Sequence, residues 1–333
     1  MAKKGKKKDR RRRKILLSLI MILFVGIVLT ASTYAWFTAN RSVTVQSIDV
    51  NVSTSQGLQI STDATNWKSI INNDDITGAS WNGSINQLPS GANTIVPVST
   101  VGAIDENGLQ EMYKGSIEAG TTNNILVAQK TTESRGTSGD FIAFDIFIQS
   151  SQDQTVYLTS NSSVVAKGTS TGIENAARVS FITVGHANYG QAPSVAQALR
   201  ATSSSTKWIW EPNSDVHTPA GVSNALNTYG ITVTESGASK VTYRGVKAPI
   251  ADTDAIPLSP NTNNNFFGDV STIGTVATGI PTNQYLQAFS AQAGVTKLRI
   301  YMWIEGQDVD CEDRASGGSL TFSLQFSIDS SAP

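Results

Sequence analysis

The sequence predicts an all-β protein, an antiparallel β-sandwich of jelly-roll-like character with long loops and a few short helices, preceded by an N-terminal hydrophobic helix. Three observations predict it. Apolar residues occur in short runs that alternate with polar ones. Clusters of Asn, Asp, Gly, Pro and Ser separate these runs, as turns require. The one long apolar stretch lies close to the N-terminus. Many short antiparallel strands with few helices are typical of a sandwich.

The N-terminal stretch has the pattern of a leader. Six Lys and four Arg, opposed only by Asp9, lie between Lys3 and Lys14, and the apolar run of residues 15–32 follows. A basic block of this density stays on the cytoplasmic side of a membrane. Small residues at the −3 and −1 places favour a signal peptide of residues 1–35, cut between Ala35 and Trp36. The alternative is an uncleaved anchor, because residues 15–32 can span a slightly thinned bilayer.

Export changes the charge of the chain. The whole sequence has 25 basic and 26 acidic residues, and removal of residues 1–35 takes away ten bases of the leader and Asp9, which leaves a net charge of about −10 by simple count. An acidic domain argues against nucleic acid as a partner. With one cysteine, Cys311, the chain has no intramolecular disulfide. We expect a single extracellular domain over residues 36–333 that relies on its apolar core.

The segment after the leader is the predicted assembly arm, residues 36–52. Its apolar members are Trp36, Phe37, Val43, Val45, Ile48, Val50 and Val52, and the alternation slips by one residue at Ser47. Such a slip indicates a bulge or bend. A strand of this kind can add to the open sheet of a neighbouring copy, with Trp36 and Phe37 as leading anchors. The alternative is that it pairs within its own subunit as the first strand.

The middle of the chain contains a turn-rich region and a predicted hairpin. Residues 69–110 are rich in turn residues, and Trp67 and Trp81 either anchor this region to the sandwich or stack on a ligand. Phe141–Gln149 and Thr155–Thr159 alternate around a polar turn, which predicts a β-hairpin with one buried face.

Further elements follow in order. The predicted ones are a short helix over Asn175–Arg178 opened by a capping-box spacing, a strand over Val179–Val184, a helix begun by Pro193, short strands at Trp208–Trp210, Ile231–Thr234 and Val241–Tyr243, a small helix around Gln284–Phe289, and strands over Lys297–Ile304 and Ser319–Ile328.

Catalytic motifs are weak, and we predict that the protein is not an enzyme. The chain has no H-E-x-x-H motif, and its two histidines, His186 and His217, lie in loop-like surroundings that predict exposed side chains without a role. Gly168–Gly172 matches the G-x-S-x-G pattern around Ser170. That motif needs a parallel α/β sheet, whereas this chain predicts antiparallel pairing.

An acidic stretch between the last two strands is the candidate metal site. Asp308, Asp310, Glu312 and Asp313 could wrap a calcium ion with oxygen ligands. The alternative is a solvated acidic hairpin loop that discourages edge pairing. Cys311 lies in the same stretch, either as a buried small side chain or as an exposed thiol able to cross-link chains.

The leader junction resembles the TasA/camelysin group of exported Gram-positive surface proteins with a SipW-type signal peptide. The matching residues are Thr33–Phe37, Asn40 and the strand through Ile48–Val50. This resemblance implies a dedicated signal peptidase and a role as a biofilm-matrix fibre subunit. The stretch from Tyr301 to Phe326 is similar to uncharacterised clostridial surface proteins. The heavy basic block and the long loops depart from a minimal TasA-like domain.

These observations together predict an extracellular structural protein, a fibre or biofilm-matrix subunit that assembles with itself through the arm. Its other expected partners are the signal peptidase and the membrane, through residues 15–32 before or without cleavage. The alternative is a surface adhesin or carbohydrate-binding sandwich that uses Trp67, Trp81, Trp208 and Trp210. The least favoured hypothesis is a hydrolase that uses Ser170 or a histidine.

Overall fold

A computed structural model gives the fold. It describes residues 48–55, 57–79, 81–89, 95–100, 102–118, 125–213, 216–224, 244–246, 255–257, 267–269, 275–278, 280, 283–306, 308, 310–311 and 317–331. The leader, the first part of the predicted arm (residues 36–47) and the predicted strands Ile231–Thr234 and Val241–Tyr243 lie outside these residues.

Strands are the commonest elements of the described chain, and its helices are few and short. The strands are β1 Ile48–Thr54, β2 Leu58–Ser61, β3 Ile70–Asn72, β4 Met112–Glu118, β5 Ile125–Thr131, β6 Ile142–Ser150, β7 Gln154–Leu158, β8 Ser163–Ala166, β9 Ala177–Asn188, β10 Lys207–Glu211, β11 Arg244–Val246, β12 Ala255–Pro257, β13 Phe267–Asp269, β14 Thr275–Thr278, β15 Leu286–Ala291, β16 Gly294–Ile304 and β17 Leu320–Ser327. The helices are α1 Asn73–Gly78, α2 Pro193–Ala198 and α3 Pro219–Asn224, with a 3-10 turn at Ile173–Ala176.

Two six-stranded sheets form the sandwich. Sheet I has the order β15-β7-β17-β1-β3, with β8 also paired to β17. Sheet II has the order β14-β10-β9-β16-β6-β2. Most neighbours are antiparallel, but β1 runs parallel to β17 and β10 runs parallel to β14. Two small sheets, β12-β5-β4 and β11-β13, lie outside the sandwich order.

The inner faces of the two sheets share one apolar core. Leu320, Phe322, Leu324 and Phe326 of β17 meet the alternate residues of β6, β9 and β16 in a continuous buried cluster. A strict period of two places these side chains on one face of each strand, because successive side chains of a pleated strand point to opposite sides. The predicted all-β sandwich is confirmed.

Sheet II is buried on its outer face as well. Phe141, Ala143, Tyr301 and Trp303 point away from the sandwich core and pack against side chains of the turn-rich region, Val98 and Ile104. Trp81 packs edge-on against Phe147 at a ring-centroid distance of 6.1 Å. The predicted single buried face of the strand over residues 141–149 is therefore wrong, because the turn-rich region forms a covering layer. Trp81 anchors that layer to sheet II. This was one of the two expectations for Trp81, the other being a ring that stacks on a ligand.

The predicted hairpin is also wrong. β6 pairs with β16 and β2 in sheet II, whereas β7 pairs with β15 and β17 in sheet I. The polar turn between them crosses from one sheet to the other. Alternation predicts two strands and an inward face for each, but it is the same for a hairpin and for a sheet-to-sheet crossing.

Two predicted helices differ from the structure. Residues 286–291 form strand β15 at the end of sheet I, where the prediction had a helix around Gln284–Phe289. The helix predicted over Asn175–Arg178 is a single 3-10 turn, and Gly172 precedes it at φ 90° without a side-chain cap. The N-cap position falls on Gly172 rather than on Thr171, and glycine has no side chain to cap the turn, so the predicted capping box does not form. α2 begins at Pro193, as predicted.

Within the described residues, no helix has the length and apolar character needed to cross a membrane. The predicted hydrophobic segment of residues 15–32 lies outside them.

Candidate functional site

The candidate site includes two charged side chains, Arg178 and Glu211, on the outer face of sheet II. Val179 and Trp210 face the sandwich core, so their neighbours Arg178 on β9 and Glu211 on β10 point to the opposite side. An Nη2–Oε1 distance of 2.6 Å joins Arg178 and Glu211, and both side chains are buried. Neighbouring strands place them together because β9 and β10 are paired antiparallel.

The connection between β16 and β17 adds two carboxylates. Asp308 Oδ2 lies 2.5 Å from Arg178 Nη2, and Asp308 Oδ1 accepts a hydrogen bond of 2.8 Å from the amide of Asp310. The amide of Cys311 donates to the carbonyl of Asp308 at 3.1 Å. This tight turn buries Asp308, Asp310 and Cys311 together.

The segment before α3 completes the site. His217 Nδ1 lies 2.6 Å from Asp310 Oδ2, while the amide and the hydroxyl of Thr218 each donate to Asp310 Oδ1 at 2.8 Å. A Cβ atom on Gly221 would lie only 2.2 Å from Asp310 Oδ1, so this close approach requires glycine. We call Arg178, Glu211, His217, Asp308 and Asp310 the acidic cluster.

Burial and charge shift the protonation of these groups. Burial raises the pKa of Asp308; the guanidinium of Arg178 opposes the shift and the nearby Asp310 adds to it. Burial alone would lower the pKa of His217, but the bond with Asp310 and the negative charges of Asp308, Asp310 and Glu211 outweigh it, and the pKa is raised. Burial and the surrounding carboxylates raise the pKa of the Cys311 thiol well above its ordinary value. Asp308, His217 and Cys311 therefore favour their proton-bound forms.

Comparisons with known protein families, with curated proteins and with solved structures find no match.

A second polar network clamps the covering layer to sheet II. Arg299 Nη1 lies 3.0 Å from Asp145 Oδ1, its Nη2 bonds Glu133, and its Nε donates to the Tyr301 hydroxyl at 3.0 Å. That hydroxyl donates to Glu133 Oε1 at 2.5 Å and accepts from the amide of Gln110 at 2.9 Å. Burial raises the pKa of Glu133 and of Tyr301, and Arg299 opposes both shifts.

Lys297 belongs to the same network. Its ammonium lies 3.2 Å from Asp145 Oδ2, donates to the carbonyls of Gln197 and Leu199 at 3.0 Å, and sits 4.8 Å from the centre of the Trp81 ring. Burial lowers the pKa of Lys297, and Asp145 opposes this shift. These bonds connect β16 to the end of α2 and to the covering layer, which is a structural role.

The acidic stretch was predicted to hold calcium or to be a solvated hairpin loop. The second expectation is wrong for the described residues, since Asp308 and Asp310 are buried and the connection joins two different sheets. Glu312 and Asp313 lie outside the described residues. Calcium binding stays a prediction. The buried position of Cys311 excludes the exposed cross-linking thiol in the folded chain.

The prediction that both histidines have exposed side chains is wrong. His217 is 4% exposed at its side chain and belongs to the acidic cluster. His186 lies on β9, half-buried, with Nε2 at 2.9 Å from the carbonyl oxygen of Ala293. The loop-like composition around His217 hid its burial, because the contact that buries it comes from 93 residues further along the chain.

The other residues that the sequence singled out do not belong to the acidic cluster. Ser170 is exposed and its hydroxyl bonds the carboxylate of Glu174. Trp81, Trp208 and Trp210 are buried, and Trp67 is half-buried. Phe181 stacks on Trp208 at 4.5 Å between ring centroids. The Trp81, Trp208 and Trp210 rings are buried and pack within the fold.

The structure describes only the second part of the predicted arm, residues 48–52. Val50 and Val52 are buried in β1, inside sheet I, and Ile48 begins that strand. This part of the arm pairs within its own subunit, which was the alternative expectation. Ala35, Trp36, Phe37, Val43 and Val45 lie outside the described residues.

Arg178 and Glu211 were not identified as site residues from the sequence. Each is a charged residue directly beside an apolar strand run, Val179–Val184 and Trp208–Trp210. Such a residue at a strand end is a weak signal, since most are solvated. Their pairing with Asp308 depends on the crossing of the chain between sheets.

Proposed function

We propose that this protein is an exported structural subunit of a bacterial surface or extracellular matrix, which assembles with copies of itself by strand addition through residues 36–47. The observation that carries the proposal is the position of β1. This first described strand lies inside sheet I, parallel to the last strand, and the alternating segment leads directly into it.

β1 is held firmly on one side and only partly on the other. It pairs with β17 along its whole length, from Ile48 opposite Leu320 to Thr54 opposite Phe326. β3 pairs with Asn51–Ser53 alone, and the amide of Val50 is satisfied by Asn73 Oδ1 at 2.8 Å. Residues 48–54 therefore anchor the chain in its own sheet, and strand addition falls to the residues before them.

An acceptor edge is present at the far end of sheet I. Among the described strands, β15 has β7 as its ladder partner on one side and none on the other. A cleft of about 520 Å³ lies beside it, lined by Trp208, Leu286 and Phe289 together with polar side chains. Open main-chain groups next to apolar pockets are what an added strand needs.

The length of the arm fits an intermolecular role. Residues 36–47, extended at about 3.3 Å per residue, span roughly 40 Å. β15 itself has 6 residues, or about 20 Å of edge. The arm could thus leave β1 of one copy and pair along β15 of the next, with Trp36 and Phe37 in the cleft.

The leader supports export. Its basic block and apolar run give either a cut before Trp36, which frees the arm, or an anchor that keeps the protein on the membrane. The resemblance of the junction to the TasA/camelysin group favours the cut and a matrix role. N-terminal sequencing of the natural protein separates the two forms.

The experiment uses the alternation of the arm. The substitutions lie before Ser47, because changes within β1 would open the core. In the secreted form, Val43→Asp with Val45→Asp places charges on the apolar face of the arm. Thr44→Asp with Gln46→Asp adds the same charge to the opposite face and is the matched control. We expect electron microscopy to show filaments for the wild type and the control, and monomers for the Val43/Val45 variant.

Filaments of the Val43/Val45 variant that match the wild type in number and length would contradict the proposal. So would a secreted wild type that stays monomeric at high concentration by light scattering. The carbohydrate-binding alternative is not proposed, because Trp81, Trp208 and Trp210 are buried. A hydrolase is not proposed either, because the Ser170 hydroxyl bonds Glu174 rather than a histidine.

A further inference from the structure

We propose that Lys297 and Asp145 join through an intramolecular isopeptide bond, which links β16 to β6 beneath the covering layer. Lys297 Nζ lies 3.2 Å from Asp145 Oδ2, and each side chain is 3% exposed. The two residues are diagonal neighbours on the outer face of sheet II, since Lys297 lies opposite Phe147 and Asp145 lies opposite Arg299. The reacting groups are thus already near the separation of about 3 to 3.5 Å from which such reactions proceed.

The reaction is a condensation that needs no other reagent. A proton passes from the Lys297 ammonium to Asp145 Oδ2, which gives an amine and a carboxylic acid. The lone pair of Nζ then attacks Cγ of Asp145, so that the Nζ–Cγ bond forms and the Cγ–Oδ2 bond breaks. A second proton from Nζ leaves with Oδ2. One water molecule is released, and a neutral amide remains.

Two main-chain carbonyls orient the attacking nitrogen. Lys297 Nζ donates to the carbonyl oxygens of Gln197 and Leu199, each at 3.0 Å. A neutral amine has two N–H groups, and these two acceptors can take both of them. The remaining direction of the nitrogen, which is its lone pair, is then left for the carboxyl group of Asp145.

The surroundings favour an uncharged product over the ion pair. Burial lowers the pKa of Lys297, and Asp145 opposes the shift. The rings of Trp81 and Phe147 have their centres 4.8 Å and 5.7 Å from Nζ and cover the nitrogen on the side of the covering layer. Two buried charges carry a desolvation cost that a neutral amide avoids. Condensation therefore removes that cost.

Arg299 and a small cavity fit the course of the reaction. Arg299 Nη1 donates to Asp145 Oδ1 at 3.0 Å, which leaves Oδ2 as the oxygen that takes the proton and departs. Oδ1 becomes negatively charged during the attack, and a fixed donor at such an oxygen stabilises the transition state. A cavity of about 20 Å³ is lined in part by Lys297, Asp145 and Arg299, and it has room for about one water molecule.

The amide would supply a covalent link that the cysteine content of the chain does not allow. With Cys311 as its single cysteine, the chain has no intramolecular disulfide. A bond between residues 145 and 297 closes a loop of about 150 residues, and a cross-link across a long loop stabilises a fold by constraining the unfolded chain. The bond does not depend on strand addition through residues 36–47, so either proposal can fail alone.

Mass spectrometry of the full chain under denaturing conditions is the test. We expect the intact mass to fall short of the mass of the sequence by one water molecule. Trypsin should release residues 136–167 joined to residues 248–299, and fragmentation should place the link at Asp145 and Lys297. Lys297→Arg keeps the positive charge but replaces the amine by a guanidinium, so this variant should have its full sequence mass.

An exposed pair of the same residue types is the matched control. Lys114 Nζ lies 3.4 Å from Asp140 Oδ2, and the two side chains are 41% and 21% exposed. Asp140 lies in the same tryptic peptide as Asp145, so the same digest would detect a link to residues 69–130, which contain Lys114, and we expect none.

The wild-type digest decides the question even if Lys297→Arg does not fold. A wild type with its full sequence mass, and with residues 136–167 recovered as a separate peptide, would overturn the inference. So would linkage at Lys114 equal to that at Lys297, or a Lys297→Arg chain that still lacks one water molecule.

Discussion

Arg178 and Asp308 lie 130 residues apart in the sequence and form a buried ion pair with an Nη2–Oδ2 distance of 2.5 Å. Arg178 opens β9 in sheet II, and Asp308 lies in the connection that carries the chain to sheet I. The pair therefore joins the start of one sheet's strand to the crossing between sheets. Glu211 and the turn of Asp310 are attached to the same pair.

Arg178→Met should destabilise the fold strongly. The substitution leaves Glu211 and Asp308 buried without their shared cation, and removal of one partner of a buried pair costs about 3 to 5 kcal/mol. Urea unfolding at neutral pH followed by circular dichroism measures the loss. Arg135→Met removes an exposed arginine and serves as the control, with a change within about 0.5 kcal/mol. Equal effects of the two substitutions would show that the ion pair has no special role.

Gly221→Ala should loosen α3. Its new Cβ would lie 2.2 Å from Asp310 Oδ1, so either α3 or the Asp310 turn must move. Overpacking of this kind costs roughly 1 to 3 kcal/mol. Thermal unfolding gives the stability, and protease sensitivity near α3 gives the local effect. Gly78→Ala is the matched control, because a Cβ there meets nothing within 4 Å. A Gly221→Ala protein with wild-type unfolding and cleavage would contradict the close approach.

Asp63 should make stability depend on pH in the acid range. Burial would raise its pKa, but hydrogen bonds from Asn66, Ser61 and the amide of Thr65 outweigh this and lower it. A carboxyl with a lowered folded pKa contributes stability above its unfolded pKa, near 3.8, and that contribution is lost as the pH falls through the folded value.

Asp63→Asn should therefore reduce the free energy of unfolding at pH 7, by about 1 kcal/mol, and have a smaller effect at pH 2 to 3. Parallel urea titrations at the two pH values test this. Asp329→Asn removes a carboxylate that is exposed on the surface and controls for net charge. A difference between wild type and Asp63→Asn that stays constant with pH would exclude this role.

Tyr301→Phe should release the covering layer from sheet II. The substitution removes the hydroxyl that accepts from Gln110 and Arg299 and donates to Glu133, so three buried groups lose a partner. We expect a loss of roughly 2 to 3 kcal/mol. Hydrogen exchange of the Gln110 amide should also accelerate.

Tyr157→Phe is the matched control for that substitution, since Tyr157 is a half-buried tyrosine of β7 in sheet I. Its unfolding free energy and the exchange of Gln110 should stay close to the wild type. Protection of Gln110 that survives Tyr301→Phe would show that the covering layer is held by its apolar contacts alone.

Much of the strand pattern followed from the sequence. The alternation in Lys297–Ile304 and Ser319–Ile328 predicts strands that the structure places at residues 294–304 and 320–327. The alternation in Phe141–Gln149 predicts β6, with the inward residues correctly assigned. The period of two is a local property of a pleated strand, so local sequence is sufficient to detect it.

The candidate site could be predicted only in part. The sequence indicated Asp308 and Asp310 through their acidic stretch, but it gave no reason to join them to Arg178, Glu211 or His217. The residues around His217 have the composition of an exposed loop. Its partner Asp310 comes from a different sheet connection, and no local pattern encodes a contact over 93 residues.

The sequence by itself determined the alternation of the strands, the turn-rich region and the basic and apolar leader pattern, because each depends on neighbouring residues. Only the tertiary structure decided which sheet each strand joins. It placed β6 and β7 in different sheets, and it placed the turn-rich region over the outer face of sheet II. It also decided that Arg178, His217 and Asp308 meet. The physical reason is that inward and outward faces are local, whereas the choice of partner is set by the packing of distant segments around a shared core.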